Sequence, residues 1–210
     1  EALREDIEVK EMFYTSSVAK SDAELIENLK QRAEFCDEVS DTVFAKMSDT
    51  KTPQGILCLV KSPIYKLEDL LQHSKGVFVV LEDLQDPGNL GTIIRTGEGA
   101  GIAGVIMTKD TVDVFNPKTI RATMGSVYRV PFVYVQDIAE AIDKLKRSNI
   151  TVYAAHLKGE AYYDAFDYTK GSAFLIGNES NGLRESTAKL SDTYVKIPMA
   201  GCVESLNAAV

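Results

Sequence analysis

Cysteine is scarce: Cys36, Cys58 and Cys202 are odd in number and far apart. With no C-x-x-C pair and no Cys/His cluster, the sequence supports neither a zinc site nor a disulfide framework. The three thiols read as reduced cysteines of a cytoplasmic protein, and no metal is expected. No apolar run approaches the roughly 18 residues that a membrane span needs, and no basic-then-apolar leader opens the chain. The Asn-x-Ser/Thr matches at Asn149 and Asn178 are then chance matches. Positive charge is not in excess either. Lys and Arg number 23 against 31 Asp and Glu, a net of −8, which alone argues weakly against a nucleic-acid partner.

The distribution of charge tells more than the total. Residues 1–75 carry ten basic and fifteen acidic side chains, a net of −5, whereas 89–130 carry Arg95, Lys109, Lys118, Arg121 and Arg129 against Glu98, Asp110 and Asp113, a net of +2. A locally basic stretch inside an acidic protein is compatible with RNA. At 210 residues, with 45% hydrophobic and 26% charged, the chain can form one or two domains around a real core. It starts at Glu1 and stops at Val210 within an apolar run, so a longer natural chain is expected.

Two halves are visible. Residues 7–14 and 55–61 read as strands, 22–35 as one amphipathic helix and 41–47 as a short helix capped by Ser40. That is a small α/β unit, 1–62. A linker, 63–75, follows, with a short helical stretch around 67–71. From 76 to 210 apolar strands (76–82, 105–108, 132–135, 151–155, 173–177, 194–197) alternate with helices (90–100, 117–124, 138–148, 183–190). The alternation predicts a parallel sheet covered by helices on both faces, with ligands at the carboxyl ends of its strands.

Gly99-Ala-Gly101-Ile-Ala-Gly104 matches the dinucleotide pattern G-x-G-x-x-G, but a helix precedes it and a strand follows, the reverse of what that site requires. It reads as a glycine-terminated helix. Three other segments sit where strands end. In the first, Asp86-Pro87-Gly88-Asn89 reads as a type II turn with Asn89 capping the next helix. Arg95 in that otherwise small and apolar helix suits a phosphate. In the second, Gly177-Asn178-Glu179-Ser180-Asn181-Gly182-Leu183, Gly177 admits close approach of a ligand to the backbone; Asn178 and Glu179 touch ligand or brace a neighbouring loop. In the third, Ile197-Pro198-Met199 leads to Ser205-Leu206-Asn207, with Ser205 read as the cap of a final helix. Each segment alone is explained almost as well by caps and turns.

Taken together, in order and at the right junctions, the three resemble the SpoU/TrmH family of RNA methyltransferases in the SPOUT superfamily. The family pattern Asn-x-Gly-x-Ile-x-Arg-Thr falls on residues 89–96, Gly-x-Glu-x-x-Gly-Leu on 177–183, and Ile-Pro-Met-x-Gly-x-x-x-Ser-Leu-Asn on 197–207. The N-terminal unit resembles the family's L30e-like substrate-binding domain by layout. The resemblance implies a C-terminal trefoil knot and a homodimer whose active sites are finished by the partner subunit. It implies transfer of a methyl group from S-adenosylmethionine to a ribose 2′-hydroxyl of structured RNA, ribosomal (23S) rather than transfer RNA, without a metal. Arg95, Asn89, Glu179, Ser205 and Asn207 would form the catalytic region. Leu157, Gly177, Asn178, Ile197, Met199 and Leu206 would line the cofactor pocket, and His156 would be structural. A transfer-RNA enzyme, a catalytically silent RNA-binding protein of the same fold and a nucleotide-dependent oxidoreductase are the competing readings.

Overall fold

The computed structural model describes residues 4, 7–73, 75–159, 161–201 and 205–210; Ser74 of the expected linker and Cys202 lie outside them. The chain divides into two compact units, Glu1–Pro63 and Ile64–Val210.

In the smaller unit β1 (Val9–Thr15) is central, followed by α1 (Ser16–Ser21), α2 (Ala23–Lys30), β2 (Ala33–Val39), α3 (Asp41–Met47) and β3 (Ile56–Val60). β2 lies parallel and β3 antiparallel to β1, in the order β2-β1-β3. Met12 and Tyr14 of β1 are buried with Ile26 and Leu29 of α2. Cys36 and Cys58, free thiols, flank Met12 on the neighbouring strands. Ser40 caps α3 by accepting from the Val43 N–H at 3.3 Å, as the sequence suggests. The single helix expected over 22–35 is corrected. α2 ends at Lys30, and the chain turns into β2, whose backbone pairs with β1 instead of continuing helical bonds. The signal was weak because β2 exposes Phe35 and half-buries Cys36, so its polarity does not alternate cleanly.

In the larger unit the order is α4 (Leu67–Leu70), β4 (Val77–Leu81), α5 (Pro87–Ala100), β5 (Gly104–Thr108), α6 (Pro117–Thr123), β6 (Phe132–Val135), α7 (Ile138–Arg147), β7 (Thr151–Ala155), β8 (Ala161–Tyr162), β9 (Ser172–Ile176), α8 (Glu185–Ala188) and β10 (Thr193–Lys196). Seven strands form one sheet, β6-β5-β4-β9-β7-β10-β8, and every pairing in it is parallel. Strand alternation divides the core between the two faces. Phe78, Val80 and Ile106 pack with Ile142 and Leu145 of α7. Leu81, Val105 and Met107 pack with Leu90, Ile93 and Ile94 of α5. The segment 63–75 is no free linker, because Leu67 and Leu70 are buried in the first of these clusters.

α5 begins earlier than the sequence suggests. Asp86 is its cap, accepting from the Asn89 N–H at 2.8 Å, and Pro87 takes the first helical position, where its missing N–H costs nothing. The expected type II turn is the first helical turn, and Asn89 is freed from capping. At the far end Gly101 adopts the left-handed conformation (φ +73°) that stops the helix, which accounts for the glycine pattern without a dinucleotide. The final helix is likewise corrected: residues 205–210 form only a turn. In it Asn207, not Ser205, accepts from the Ala209 N–H at 2.8 Å. Ala208 and Ala209 pack against the α5-side cluster.

Candidate active site

β4 and β9 are neighbours in the sheet, with Leu81 paired to Ile176. The loops leaving their carboxyl ends, 82–89 and 177–184, therefore start side by side, and they are joined by carboxylates running in both directions. From the second loop, Glu179 accepts from the Gln85 N–H (Oε2, 3.0 Å), the Asp86 N–H (Oε1, 2.9 Å) and the Asn89 amide (Oε1, 3.1 Å). Burial works to raise this carboxyl, but the Gln85 and Asp86 N–H groups and the Asn89 amide more than offset it, leaving Glu179 below its ordinary value. From the first loop, Glu82 accepts from the Arg184 N–H (2.7 Å) and Nε (2.8 Å) and from the Thr187 hydroxyl.

Further bonds stiffen both loops. Asp83 sits at φ +54°, a conformation that Asp tolerates better than most residues. The Thr108 hydroxyl fixes it, accepting from the Asp83 N–H at 2.9 Å and donating to Asp83 Oδ1 at 2.7 Å. Asn178 donates to the Asp83 carbonyl (2.8 Å) and accepts from the Ser180 and Asn181 N–H groups. Its backbone exchanges hydrogen bonds with Gly182. The close approach at Gly177 comes from the loop itself: a Cβ there would lie 2.1 Å from the Gly182 carbonyl carbon and the Leu183 nitrogen. The room expected for a ligand is filled by the returning chain.

The site residues read from the sequence thus fall into groups. Asn89, Gly177, Asn178 and Glu179 are brought together in the linked loops. Arg95 is exposed on α5, six residues beyond Asn89, or about 9 Å along the axis, and no hydrogen bond or ion pair reaches it among the described residues. Glu98, one turn on, does not serve it; Glu98 takes the Arg129 guanidinium and accepts from the Ser126 hydroxyl at 2.5 Å. Leu157 and Ile197 project past adjacent strand ends, two residues beyond the paired Ala155 and Val195. They are 73% and 48% exposed, Leu206 is 42% exposed, and Met199 is half-buried. Ser205 is exposed and Asn207 is engaged in its own turn. His156 stacks on Tyr194, with centroids 4.8 Å apart, and its Nδ1 accepts from the Lys158 N–H, which suits a structural role.

Sequence reading missed Glu82, Asp83, Thr108 and Arg184. An acidic residue ending a buried strand was the available signal for Glu82. Asp83, Thr108 and Arg184 border a cleft of about 310 Å³ at the carboxyl ends of β4, β5 and β6, lined also by Lys109 and Gln136.

Comparison with known proteins identifies the family. Residues 76–210 match the SpoU rRNA Methylase family and residues 1–66 the RNA 2′-O ribose methyltransferase substrate binding domain. A 23S rRNA (guanosine(2553)-2′-O)-methyltransferase of Bacillus subtilis is 34% identical over 175 residues, covering 83% of this chain and 68% of the relative. A 23S rRNA (uridine(2479)-2′-O)-methyltransferase of Streptomyces viridochromogenes is 32% identical, covering 76% and 57%. The chain therefore spans somewhat over half to two thirds of these curated relatives. Among solved structures, an AdoMet-bound rRNA methyltransferase from Sinorhizobium meliloti superposes with a TM-score of 0.85 at 32% identity, over 99% of this chain and 78% of that one. The SpoU methyltransferase AviRb from Streptomyces viridochromogenes, in complex with AdoMet, does so at 0.87 and 28% identity, over 99% and 80%. The chain belongs to the SpoU family of RNA methylases and carries that family's substrate-binding domain at its N-terminus.

Proposed function

We propose that this protein transfers a methyl group from S-adenosylmethionine to a ribose 2′-hydroxyl of structured RNA, with 23S ribosomal RNA the preferred substrate. The observation that carries the reading is the Asn89–Glu179 join between two adjacent strand-end loops, together with an unengaged Arg95 on the helix that one of them begins. The relatives named for 23S rRNA support the choice of RNA.

The residues present fit the cofactor. Exposed Leu157 and Ile197 offer apolar walls beyond β7 and β10, next to the loop that follows β9. Met199 and Leu206 would complete those walls. Gly177 and Asn178 would contribute loop shape, since the Asn178 side chain is already engaged. When bound, S-adenosylmethionine supplies an electrophilic methyl group on a sulfonium. The protein must align the ribose hydroxyl and favour charge on its oxygen. Arg95 is suited to gripping the adjoining phosphate and stabilising the developing alkoxide; a guanidinium is not readily deprotonated, so it acts by charge. Asn89 and Glu179 hold the start of α5, and Ser205 and Asn207 order the third motif.

A homodimer belongs to this proposal, on the family resemblance: Arg95 is exposed on α5 and open to a second copy of the chain. So does the trefoil knot. β10 inserts between β7 and β8, yet Ala208 and Ala209 return to the α5 side, a path that suits threading although knots are otherwise rare. Residues 1–62 would present the RNA, and an RNA substrate goes with a cytoplasmic location. Among the described residues no helix is long and apolar enough to cross a membrane.

The test is transfer of labelled methyl from S-adenosylmethionine to ribosomal RNA lacking the modification, with the nucleotide mapped by primer extension at limiting dNTP. Transfer to transfer RNA alone would overturn the ribosomal preference, and transfer to neither would overturn the reading.

A further inference from the structure

Glu82 is 1% exposed and immediately follows β4. Its carboxylate is fully engaged by the Arg184 N–H, the Arg184 guanidinium and the Thr187 hydroxyl. Glu82 is buried but Arg184 is exposed, and the desolvation of the carboxylate offsets much of the attraction, so the pair adds little net stability. Its effect here is geometric. Arg184 is where loop 177–184 ends and α8 begins, so Glu82 ties that end of the loop to β4. The other end is tied by Asn178, which donates to the Asp83 carbonyl at 2.8 Å. Glu179 stands between the two ties, and its carboxylate reaches back to Gln85, Asp86 and Asn89. The Arg184 guanidinium adds a third link, 3.4 Å from Asp83 Oδ2.

We infer that Glu82 is a positioning residue for methyl transfer: through Arg184 and Thr187 it aims Glu179, and through Glu179 it sets the start of the helix that bears Arg95. The clamp is reciprocal, with one carboxylate from each loop closing on the other. The side-chain bonds of Glu82 go to Arg184 and Thr187 and not to Arg95, so its effect is indirect. The activity arm of this inference rests on the methyl-transfer reading; the structural arm does not.

The experiment measures backbone amide exchange at Gln85 and Asp86, together with methyl transfer, in wild type, Glu82→Gln, Glu179→Gln and the double variant. Neither amide is a partner of Glu82, so a merely local role would leave their protection untouched. Glu82→Gln is expected to expose both amides. It should lower kcat about tenfold, the rate equivalent of ~1.4 kcal/mol of coupling, with little change in the KM for S-adenosylmethionine. The double variant should be scarcely worse than Glu179→Gln alone, because the two act through one clamp. Where Glu82→Gln fails to fold, Thr187→Val removes a single donor and is read in the same way. Unchanged protection at Gln85 and Asp86, or losses that multiply in the double variant, would overturn the inference. Lost protection in a protein whose wild type methylates no RNA would support the clamp and overturn the proposed function instead.

Discussion

Asn89 and Glu179, ninety residues apart in the chain, meet side chain to side chain at 3.1 Å. This is the least replaceable of the three bonds to Glu179, since the other two come from backbone N–H groups that any residue but proline supplies. Asn89→Ala is expected to cost about 1 kcal/mol of stability, since Gln85 and Asp86 still hold the carboxylate. The loss of methyl transfer should exceed that cost when denaturant unfolding and single-turnover rates are compared. Equal losses would reduce Asn89 to a stabilising contact.

Glu179 also carries a pH dependence. Its carboxyl titrates below the ordinary 4.5 in the folded protein, so its bonds contribute stability above the unfolded value and lose it as pH falls through the lower folded one. The Glu179 side chain, followed by NMR, should titrate with a midpoint below 4.5, and the Gln85 and Asp86 amides should lose protection over the same interval. A midpoint at or above 4.5 would contradict the bonding described.

Gly177 and Gly99 make a matched pair. A methyl group at Gly177 would strike the backbone of Gly182 and Leu183, which cannot swing aside as a side chain can, whereas nothing lies within 4 Å of one at Gly99. Gly177→Ala should destabilise by about 3 kcal/mol. Gly99→Ala, inside α5, should stabilise by about 0.5–1 kcal/mol. Thermal melts of the two variants should move in opposite directions.

Arg95 presents the reverse case, exposed and without a partner among the described residues. Arg95→Ala should leave stability within about 0.5 kcal/mol of wild type while removing methyl transfer. Arg95→Lys, which keeps charge but loses the planar fork, should restore only part of it. Full activity in Arg95→Ala would remove this residue from the mechanism.

These residues also show what the sequence could disclose. The strands of the larger unit were legible because a sheet buried on both faces demands continuous apolar runs, as in Val77–Leu81 and Gly104–Thr108. β2 was not, because an edge strand with Phe35 exposed lacks the alternation that betrays a half-buried one, and β8 has only two residues. The motif residues were legible as motifs, but their partners were not. Nothing local joins Glu82 to Arg184 or Glu179 to Gln85; the pairings arise because β9 inserts beside β4. Asn89 was misread as a cap because Pro87 starts the helix three residues earlier than apolar periodicity suggests.

Ala208 and Ala209 rest on the cluster that holds Leu90, Ile93 and Ile94 of α5. During synthesis these two residues leave the ribosome more than a hundred positions after the helix they support. A nascent chain released to residue 200 already holds every described strand of the sheet, yet α5 still lacks the contact with Ala208 and Ala209. The cluster beneath the arginine helix is therefore completed by a segment made after the described strands, so this helix gains that support later in synthesis than the sheet does.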